Sequence, residues 1–306
     1  MAREAPNAYG ARRAFLHAVA AKSAPSRKSA ASGAYAGAGK QAPMTWHPFL
    51  ALAVLSAALA PLSAGAAPQP CAGRAGRTTA VAGARDDATL RLADGSEVTL
   101  AGILLPNRLD GQPGSPALAE AARARLERLS AATSVRLVAA ARRPDRYGRA
   151  AVHAFADGAW LQGELLKAGL ARVSAFAEPA GCAKALAALE AEARRARRGL
   201  WGDPGYAVRD AEDLGALNRM VGRFAVVEGR VLSAGQARGV TYLNFGRRWK
   251  EDFTVKIQGR AGKRIDAALM NPLGLKGRRI RVRGWIESEN GPMIAVARPE
   301  QIELAE

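Results

Sequence analysis

Apolar and polar residues alternate along two neighbouring stretches near the first third of the chain. The stretches cover residues 89–92 and 97–104, and the four residues between them contain an Asp-Gly pair. A period of two is typical of a strand with one buried face, and Asp-Gly favours a tight turn. The pattern therefore predicts a β-hairpin over residues 89–104.

Helical spacing follows the hairpin. Residues 115–130 place leucine and alanine residues three or four positions apart, which predicts an amphipathic helix. Beyond this helix, apolar runs and periodicity predict further elements. These are strands at residues 135–138 and 151–155, and helices at residues 160–168 and 182–197.

A second region, residues 221–306, contains five strand-like runs with a helical insert near residues 263–270. The runs begin at Phe224, Thr241, Phe253, Arg279 and Pro292. A helix between the third and fourth of five strands is the order of an OB-fold barrel. Before this region, residues 203–220 are polar and rich in turn-forming residues, which predicts a linker.

The N-terminal part of the chain has a pattern typical of export. Residues 44–66 contain an apolar run followed by small residues, which predicts a signal peptide with cleavage near Ala66. The run is short for a membrane span, so we expect no transmembrane span in the mature chain, which would be periplasmic or secreted. Residues 1–43 lack apolar periodicity and are expected to be disordered. Either Met44 is the true start, or residues 1–43 form a long basic leader.

Basic residues outnumber acidic ones, and the formal net charge is +18. Residues 1–43 carry +6 of this charge and residues 44–67 carry none, which leaves +12 on residues 68–306. Such an excess favours an anionic polymer, a nucleic acid or an envelope protein as partner. A solvated arginine-rich face explains the same excess.

The chain contains two cysteines, Cys71 and Cys182. An even number of cysteines in an exported chain predicts one disulfide, with two unrelated buried thiols as the alternative. In the chain-entropy model, closing a loop of about 110 residues stabilises the folded state by roughly 3 to 5 kcal/mol.

Three strings and one helix carry a resemblance to a known family. The strings are residues 100–106, 145–149 (Asp-Arg-Tyr-Gly-Arg) and 193–201, and the helix with its following strand covers residues 161–173. Together they resemble the staphylococcal-nuclease-like (thermonuclease) family over residues 77–202.

The resemblance implies a fold class that is mainly β with α. We expect a thermonuclease-like OB barrel with three helices over residues 71–202, followed by a second five-stranded OB-like barrel over residues 221–306.

Family members use two metal-binding aspartates, a glutamate that activates water and two arginines that hold phosphate. Ca²⁺ needs several oxygen ligands, the attacking water needs a base, and the charge that develops on phosphate needs guanidinium donors. Here the resemblance implies that four of these positions are substituted. They are Ala88 and Leu104 for the two aspartates, Thr99 for one arginine and Asn107 for the glutamate. We therefore predict no cofactor, although the family uses Ca²⁺.

Arg149 matches the family's second phosphate-binding arginine, and Tyr147 and Arg146 lie beside it in the sequence. Arg149 either binds an anion or braces its own loop, and the sequence leaves both alternatives open. Asp86 and Asp87 immediately precede Ala88. Because alternate strand residues face opposite sides, we expect Asp87 to point away from the site.

In the second region, basic and aromatic residues occur close together in the sequence: Arg247, Arg248, Trp249 and Lys250, with Tyr242 nearby. Such a cluster is typical of a surface that stacks bases and holds a nucleic-acid backbone. Core aromatics with solvated arginines explain the same pattern and fit an exported protein better.

We therefore expect an exported thermonuclease-like protein that is catalytically inactive and acts as a binding or scaffold module. One alternative is an active metal-dependent phosphodiesterase or nuclease with a rearranged site that uses Asp86, Asp87 or other carboxylates. Another is a periplasmic protein that binds an anionic polymer or nucleic acid through both barrels. Two carboxylates converging near Arg149 would contradict the inactive module and favour the enzyme.

Overall fold

The structure is a computed structural model of the chain. It describes residues 71, 76–85, 87–106, 116–132, 134–141, 143–174, 180–248, 250–258 and 271–305. All of them belong to one compact unit, residues 62–306. The predicted leader and signal peptide, residues 1–43 and 44–66, lie outside the described residues. Within the described ranges, no helix has both the length and the apolar character needed to cross a membrane.

The first barrel contains the predicted hairpin, the predicted strands and three helices. It begins with strands β1 (Arg77–Thr79), β2 (Val81–Ala84), β3 (Thr89–Leu92), β4 (Glu97–Leu100) and β5 (Ile103–Leu104). Helix α1 (Pro116–Ser130) is followed by β6 (Val135–Ala139), β7 (Ala150–Ala156) and β8 (Ala159–Trp160). Helix α2 (Leu161–Lys167), strand β9 (Arg172–Val173) and helix α3 (Ala180–Arg195) complete it.

The main sheet of this barrel has the strand order β1-β6-β7-β4-β3-β2. Neighbouring strands are antiparallel except β4 and β7, which are parallel with Val98 opposite Ala150. Strands β1 and β2 are separated by Ala80 alone, so both edges of the sheet belong to one bent stretch of chain. This arrangement is the strand order of an OB barrel, as predicted.

The alternating residues of the hairpin fill the core of the barrel. Leu90 and Leu92 of β3 and Val98 and Leu100 of β4 are buried, while Arg91 between the two leucines is exposed. Helices α1 and α2 cover this core with their own apolar faces. Each buried aliphatic side chain stabilises the fold by roughly 1.5 to 3 kcal/mol.

The predicted disulfide is present between Cys71 and Cys182, with Cα atoms 5.8 Å apart. It joins the segment before β1 to the first turn of α3, across a sequence separation of 111 residues. His153 of β7 packs beside it, and one ligand atom from each of these three residues lies within 4.8 Å of the others. The disulfide therefore ties the start of the barrel to its last helix.

The segment predicted to be a linker, residues 203–220, contains strand β10 (Arg209–Asp210) and helix α4 (Leu214–Arg219). Tyr206 and Leu217 in this segment are buried. Strand β10 pairs in parallel with the first strand of the second barrel. The connection is therefore packed against the second barrel along part of its length.

The second barrel contains the five predicted strands and two additional ones. Its strands are β11 (Phe224–Arg230), β12 (Ser233–Ala237), β13 (Val240–Asn244), β14 (Thr254–Gln258), β15 (Arg279–Ser288), β16 (Pro292–Val296) and β17 (Ile302–Leu304). The strands that the apolar pattern did not separate are β12 and β17. The predicted helical insert, residues 263–270, lies outside the described residues.

The second sheet repeats the strand order of the first. Its order is β10-β11-β15-β16-β14-β13-β12, with β17 beside β15. Here β14 and β16 are the parallel pair, with Thr254 opposite Met293. Strands β11 and β12 are the two halves of a bent first strand, separated by Val231 and Leu232. Within each barrel, the strands can be counted from one to five if the two halves of the bent strand together count as strand one. In both barrels the order across the sheet is then the first half of strand one, strand four, strand five, strand three, strand two and the second half of strand one.

Buried ion pairs join the two barrels. Glu190 of α3 is fully buried and binds Arg283 of β15 and Arg194 of its own helix, the latter at 3.3 Å. Glu303 of β17 accepts hydrogen bonds from Arg281 at 2.9 Å, Arg194 at 3.1 Å and Arg283 at 3.3 Å. A buried charge that loses its partner costs about 3 to 5 kcal/mol, so these pairs hold the barrels in one arrangement.

A second contact between the barrels surrounds Arg172 of β9. Its guanidinium donates to the backbone oxygen of Phe224 at 3.1 Å and lies 5.0 Å from the ring centroids of both Phe224 and Tyr206. Trp201 and Val226 lie in an apolar cluster that also contains Tyr206. The last turn of the first barrel and the first strand of the second therefore share a packed interface.

Candidate functional site

The loop before β7 is a tight turn built by Asp145. One carboxylate oxygen, Oδ1, accepts hydrogen bonds from the backbone N–H groups of Tyr147 at 2.8 Å and Arg149 at 2.9 Å. Gly148 completes the turn with φ +79°, a left-handed conformation that favours glycine. The Asp-x-Tyr-Gly-Arg string is therefore a local folding unit that sets the direction of the Arg149 side chain.

The guanidinium of Arg149 contacts three side chains. Its Nε donates to Oδ2 of Asp145 at 2.9 Å, and its Nη1 donates to Oδ2 of Asp87 and to Oγ1 of Thr89, each at 3.1 Å. Thr89 is fully buried, and the Arg149 side chain is 21% exposed. We call this set of four residues the arginine clamp. It joins the turn before β7 to the start of β3.

Electrostatics keep Arg149 and Asp145 of the arginine clamp ionised. Burial lowers the pKa of Arg149, but its hydrogen bonds and charge interactions with Asp145 and Asp87 raise this pKa by more. Burial raises the pKa of Asp145, but hydrogen bonds from the backbone and side chain of Arg149 lower this pKa by more. Arg149 and Asp145 are therefore both charged at neutral pH.

The expectation that Asp87 points away from the site is wrong. Asp87 lies in the turn before β3, and Ala88 has φ +62°, so the strand begins only at Thr89. Strand alternation therefore does not extend back through Ala88. The left-handed residue turns the Asp87 carboxylate toward Arg149.

Three of the four predicted substitutions lie within the described residues. Ala88 is buried at the entrance to β3, Thr99 lies on β4 opposite Thr89, and Leu104 lies on β5 opposite Arg172. None of these side chains offers a carboxylate. Asn107 and Asp86 lie outside the described residues.

Two carboxylates converge on Arg149, which is the arrangement expected to contradict an inactive module. Their free oxygen atoms decide whether a metal ion could bind here. Both oxygens of Asp145 accept hydrogen bonds within the turn or from Arg149. Asp87 uses Oδ2 for Arg149, while Oδ1 has no hydrogen-bond partner among the described residues and lies 3.8 Å from Nε of Arg85. One carboxylate oxygen is therefore left for a metal ion at this place.

Tyr147 and Arg146 form the exposed rim of the arginine clamp. The Tyr147 ring is 66% exposed, and the guanidinium carbons of Arg146 and Arg149 lie 4.9 Å and 5.1 Å from its centroid. An aromatic ring beside two arginines can contact both the flat and the anionic parts of a ligand. This rim is the accessible part of the site.

The second-barrel candidates do not form one cluster. Tyr242 lies on β13 and lines a groove on the outer face of the barrel, whereas none of the predicted basic residues lines it. Arg247, Arg248 and Lys250 are exposed on the loop after β13, where Arg248 pairs with Glu251 at 3.1 Å. Trp249 lies outside the described residues.

Sequence reasoning missed the other groups that line or border this groove. Asn244, Thr254 and Lys256 point to the same outer face as Tyr242, as the alternation along β13 and β14 requires. Glu289, on the loop between β15 and β16, also lines the groove and binds Lys256. Polar residues at every second position of β13 and β14 could have indicated this outer face from the sequence.

The fold and site define an OB barrel covered by three helices, with the arginine clamp on its surface. In agreement with this fold, residues 97–203 match the family model described as staphylococcal nuclease homologue. The match begins at β4, after the strand that follows Ala88. A search among curated proteins finds no match for this chain. Residues 97–203 thus form a staphylococcal-nuclease-like domain, as the sequence motifs indicated.

Proposed function

We propose that this chain is an exported protein whose nuclease-like domain does not hydrolyse phosphodiesters and acts as a binding or scaffold module. The oxygen atoms around Arg149 carry the proposal. Of the four carboxylate oxygens of Asp87 and Asp145, three accept hydrogen bonds from Arg149 or from the turn that holds it. The family resemblance also assigns Ala88 and Leu104 to the positions of the two metal-binding aspartates.

The number of available oxygen atoms supports this proposal over an active enzyme. Ca²⁺ requires about six to eight oxygen ligands, of which protein carboxylates usually supply several. At the arginine clamp, Oδ1 of Asp87 is the single carboxylate oxygen without a hydrogen-bond partner among the described residues. A Ca²⁺ ion bound there would also lie close to the positive charge of Arg149.

The binding role rests on the rim of the clamp. Tyr147 is the most exposed of the large apolar or aromatic side chains in the described residues, and Arg146 stacks on it. Arg149 is held away from solvent by its two aspartates. An anionic partner would therefore contact Tyr147 and Arg146 first.

Export is supported by two observations. The sequence of residues 44–66 has the pattern of a signal peptide. Cys71, which follows it, is paired with Cys182, and structural disulfides persist in oxidising compartments.

The convergence of Asp87 and Asp145 favours an active phosphodiesterase as the second candidate. In that case Asp87 would leave Arg149 when substrate binds, so that Arg149 holds the phosphate and Asp87 turns to a metal ion. The distances of 3.1 Å and 2.9 Å are those of ordinary ion pairs, which a phosphate can displace.

The test is hydrolysis of DNA and RNA by purified residues 62–306, with Ca²⁺ and with a chelator. The controls are Arg149→Ala, which removes the clamp, and Arg143→Ala, which removes an exposed arginine earlier on the same loop. We expect no cleavage above background from any of the three proteins. Ca²⁺-dependent cleavage that Arg149→Ala abolishes and Arg143→Ala retains would establish the enzyme instead.

A further inference from the structure

The second barrel has a groove of about 420 Å³ on its outer face. Strands β12, β13, β14 and β16 and the loop between β15 and β16 line it. The residues that the argument uses are Gln236, Tyr242, Asn244, Thr254, Glu289 and Met293. The groove lies apart from the arginine clamp, on a different barrel.

The floor of the groove combines a ring with an open face and a buried thioether. Gly235 lies directly opposite Tyr242 in the β12–β13 pair, and a Cβ atom at Gly235 would meet nothing within 4 Å. The missing side chain leaves space over the half-buried ring of Tyr242. Met293 is buried, yet it lines the groove and lies outside the apolar core of the barrel.

The polar groups of the groove are held in place before any ligand binds. The Asn244 amide donates to Oγ of Ser233 at 3.2 Å and accepts from Oγ1 of Thr254 at 3.2 Å. Both oxygens of Glu289 accept from Nζ of Lys256, at 2.9 Å and 2.8 Å. An amide and a carboxylate each have hydrogen-bonding capacity beyond these bonds.

The charge of the groove argues against a nucleic acid. Among the described residues that line it, Glu289 is the only charged one, and Lys256 beside it balances that charge. Nucleic-acid binding relies on Lys and Arg side chains that neutralise the phosphates of the ligand. A carboxylate in the wall of the groove repels these phosphates. The chemistry favours a ligand that is neutral and rich in hydroxyl groups.

We propose that this groove binds a neutral oligosaccharide. A sugar ring has an apolar C–H face that stacks on an aromatic ring and an edge of hydroxyl groups that both donate and accept hydrogen bonds. Tyr242 supplies the stacking surface, Asn244 and Gln236 supply amides, and Glu289 supplies fixed acceptors. OB barrels bind oligosaccharides as well as oligonucleotides, so the architecture accommodates either ligand and the lining decides between them.

The experiment measures binding of neutral hexasaccharides of glucose, N-acetylglucosamine, mannose and galactose to residues 62–306. Backbone amide chemical shifts report the site, and calorimetry at low and high salt reports the affinity. We expect at least one hexasaccharide to shift resonances from β12, β13 and the loop between β15 and β16. Its affinity should be the same at both salt concentrations, because no counterions are released.

Two variants test the site. Tyr242→Ala removes the stacking surface and should weaken binding about tenfold. Gly235→Leu fills the open space over Tyr242 and should abolish binding without removing any packed side chain. Leu304→Ala, which removes an exposed large side chain of β17 that does not line the groove, is the control and should bind as the wild type does. The fold of each variant is checked by circular dichroism.

Three results would overturn the proposal. The first is no binding of any hexasaccharide at millimolar concentration. The second is unchanged binding by both Tyr242→Ala and Gly235→Leu. The third is salt-sensitive binding of a ten-nucleotide oligothymidine to the same resonances, which would assign the groove to nucleic acid. None of these results depends on whether the first barrel hydrolyses phosphodiesters.

Discussion

The two barrels share one strand order but carry opposite chemistry on corresponding loops. In the first barrel, the loop between the fourth and fifth strands carries Arg146 and Arg149, and Arg149 binds Asp87 on the sheet side. In the second barrel, the corresponding loop carries Glu289, which binds Lys256 on the sheet. In both barrels an ion pair holds this loop against the sheet, with the charges exchanged.

If both proposals hold, one architecture serves two kinds of ligand. In the first barrel, the arginine clamp occupies the loop before β7, and Tyr147 and Arg146 at its rim are exposed to a ligand. The second barrel keeps an open groove that is neutral and polar. Function on such a barrel is determined by the side chains of its loops and outer face rather than by its strand order.

The largest effect should come from the disulfide, which belongs to the first barrel alone. Replacing both Cys71 and Cys182 by serine should lower the free energy of unfolding by about 4 to 5 kcal/mol in the chain-entropy model, because the closed loop is long. Urea denaturation of oxidised wild type and the double variant measures this difference. An equal stability of the two proteins would show that the first barrel does not depend on this crosslink.

The next effect concerns the contact between the barrels. Glu190→Gln should lower the free energy of unfolding by about 3 to 5 kcal/mol, because Arg283 and Arg194 would lose a buried partner. Glu192→Gln is the matched control on the same helix. Its exposed pair with Arg198 should contribute less than about 1 kcal/mol.

The denaturation curves also report whether the barrels unfold together. We expect one transition for the wild type and two separable transitions for Glu190→Gln, because the buried ion pairs join α3 to β15. Equal effects of Glu190→Gln and Glu192→Gln would contradict the importance of this contact.

A smaller effect should come from the loop ion pairs themselves. Asp87→Ala should lower the free energy of unfolding by about 1 kcal/mol, since the pair is partly exposed. The same variant should bind inorganic phosphate more tightly than wild type, because Arg149 would lose its internal anion. Glu289→Ala in the second barrel should be nearly neutral for stability and without effect on phosphate binding. Calorimetry measures phosphate binding by both variants, and thermal denaturation measures their stability. Tighter phosphate binding by Glu289→Ala would contradict the expected difference between the two loops.

A further effect is a pH dependence at the contact between the barrels. Burial raises the pKa of Glu303, but Arg283, Arg194 and Arg281 lower this pKa by more, so it lies below the ordinary value of a glutamate. Because the folded-state pKa is lowered, the stabilisation is present above the ordinary pKa and is lost as the pH falls through the folded value. Glu303→Gln should therefore have a lower free energy of unfolding than wild type at neutral pH. The difference in free energy between the two proteins should become smaller in acid. A gap that stays constant with pH would show that Glu303 contributes through packing alone.

Local periodicity predicted most of the fold. The structure confirms the two paired strands of the hairpin, 89–92 and 97–100, together with three helices and the five main strands of the second barrel. Residues 103–104, predicted as the end of the hairpin, form the separate strand β5, which pairs with β9. Strand β12 escaped prediction because its Ser, Ala, Gly and Gln residues have no apolar alternation, and its place is set by pairing with β13.

The contacts of the site were harder to predict. Asp87 was misplaced because a left-handed residue, Ala88, separates it from the strand. The buried partners Glu190 and Arg283 are 93 residues apart, so no local pattern connects them. The sequence did contain one indication that Glu190 is buried. Glu190 follows Leu186 by four residues, so the two lie on the same buried face of α3.

The proposed inactivity requires that the nuclease-like barrel holds no catalytic metal ion. Calorimetric titration of Ca²⁺ into residues 62–306, beside Asp87→Asn, measures this property. We expect no saturable heat from either protein at millimolar Ca²⁺. Saturable Ca²⁺ binding by wild type that Asp87→Asn abolishes would contradict this expectation and would place a working metal site beside Arg149.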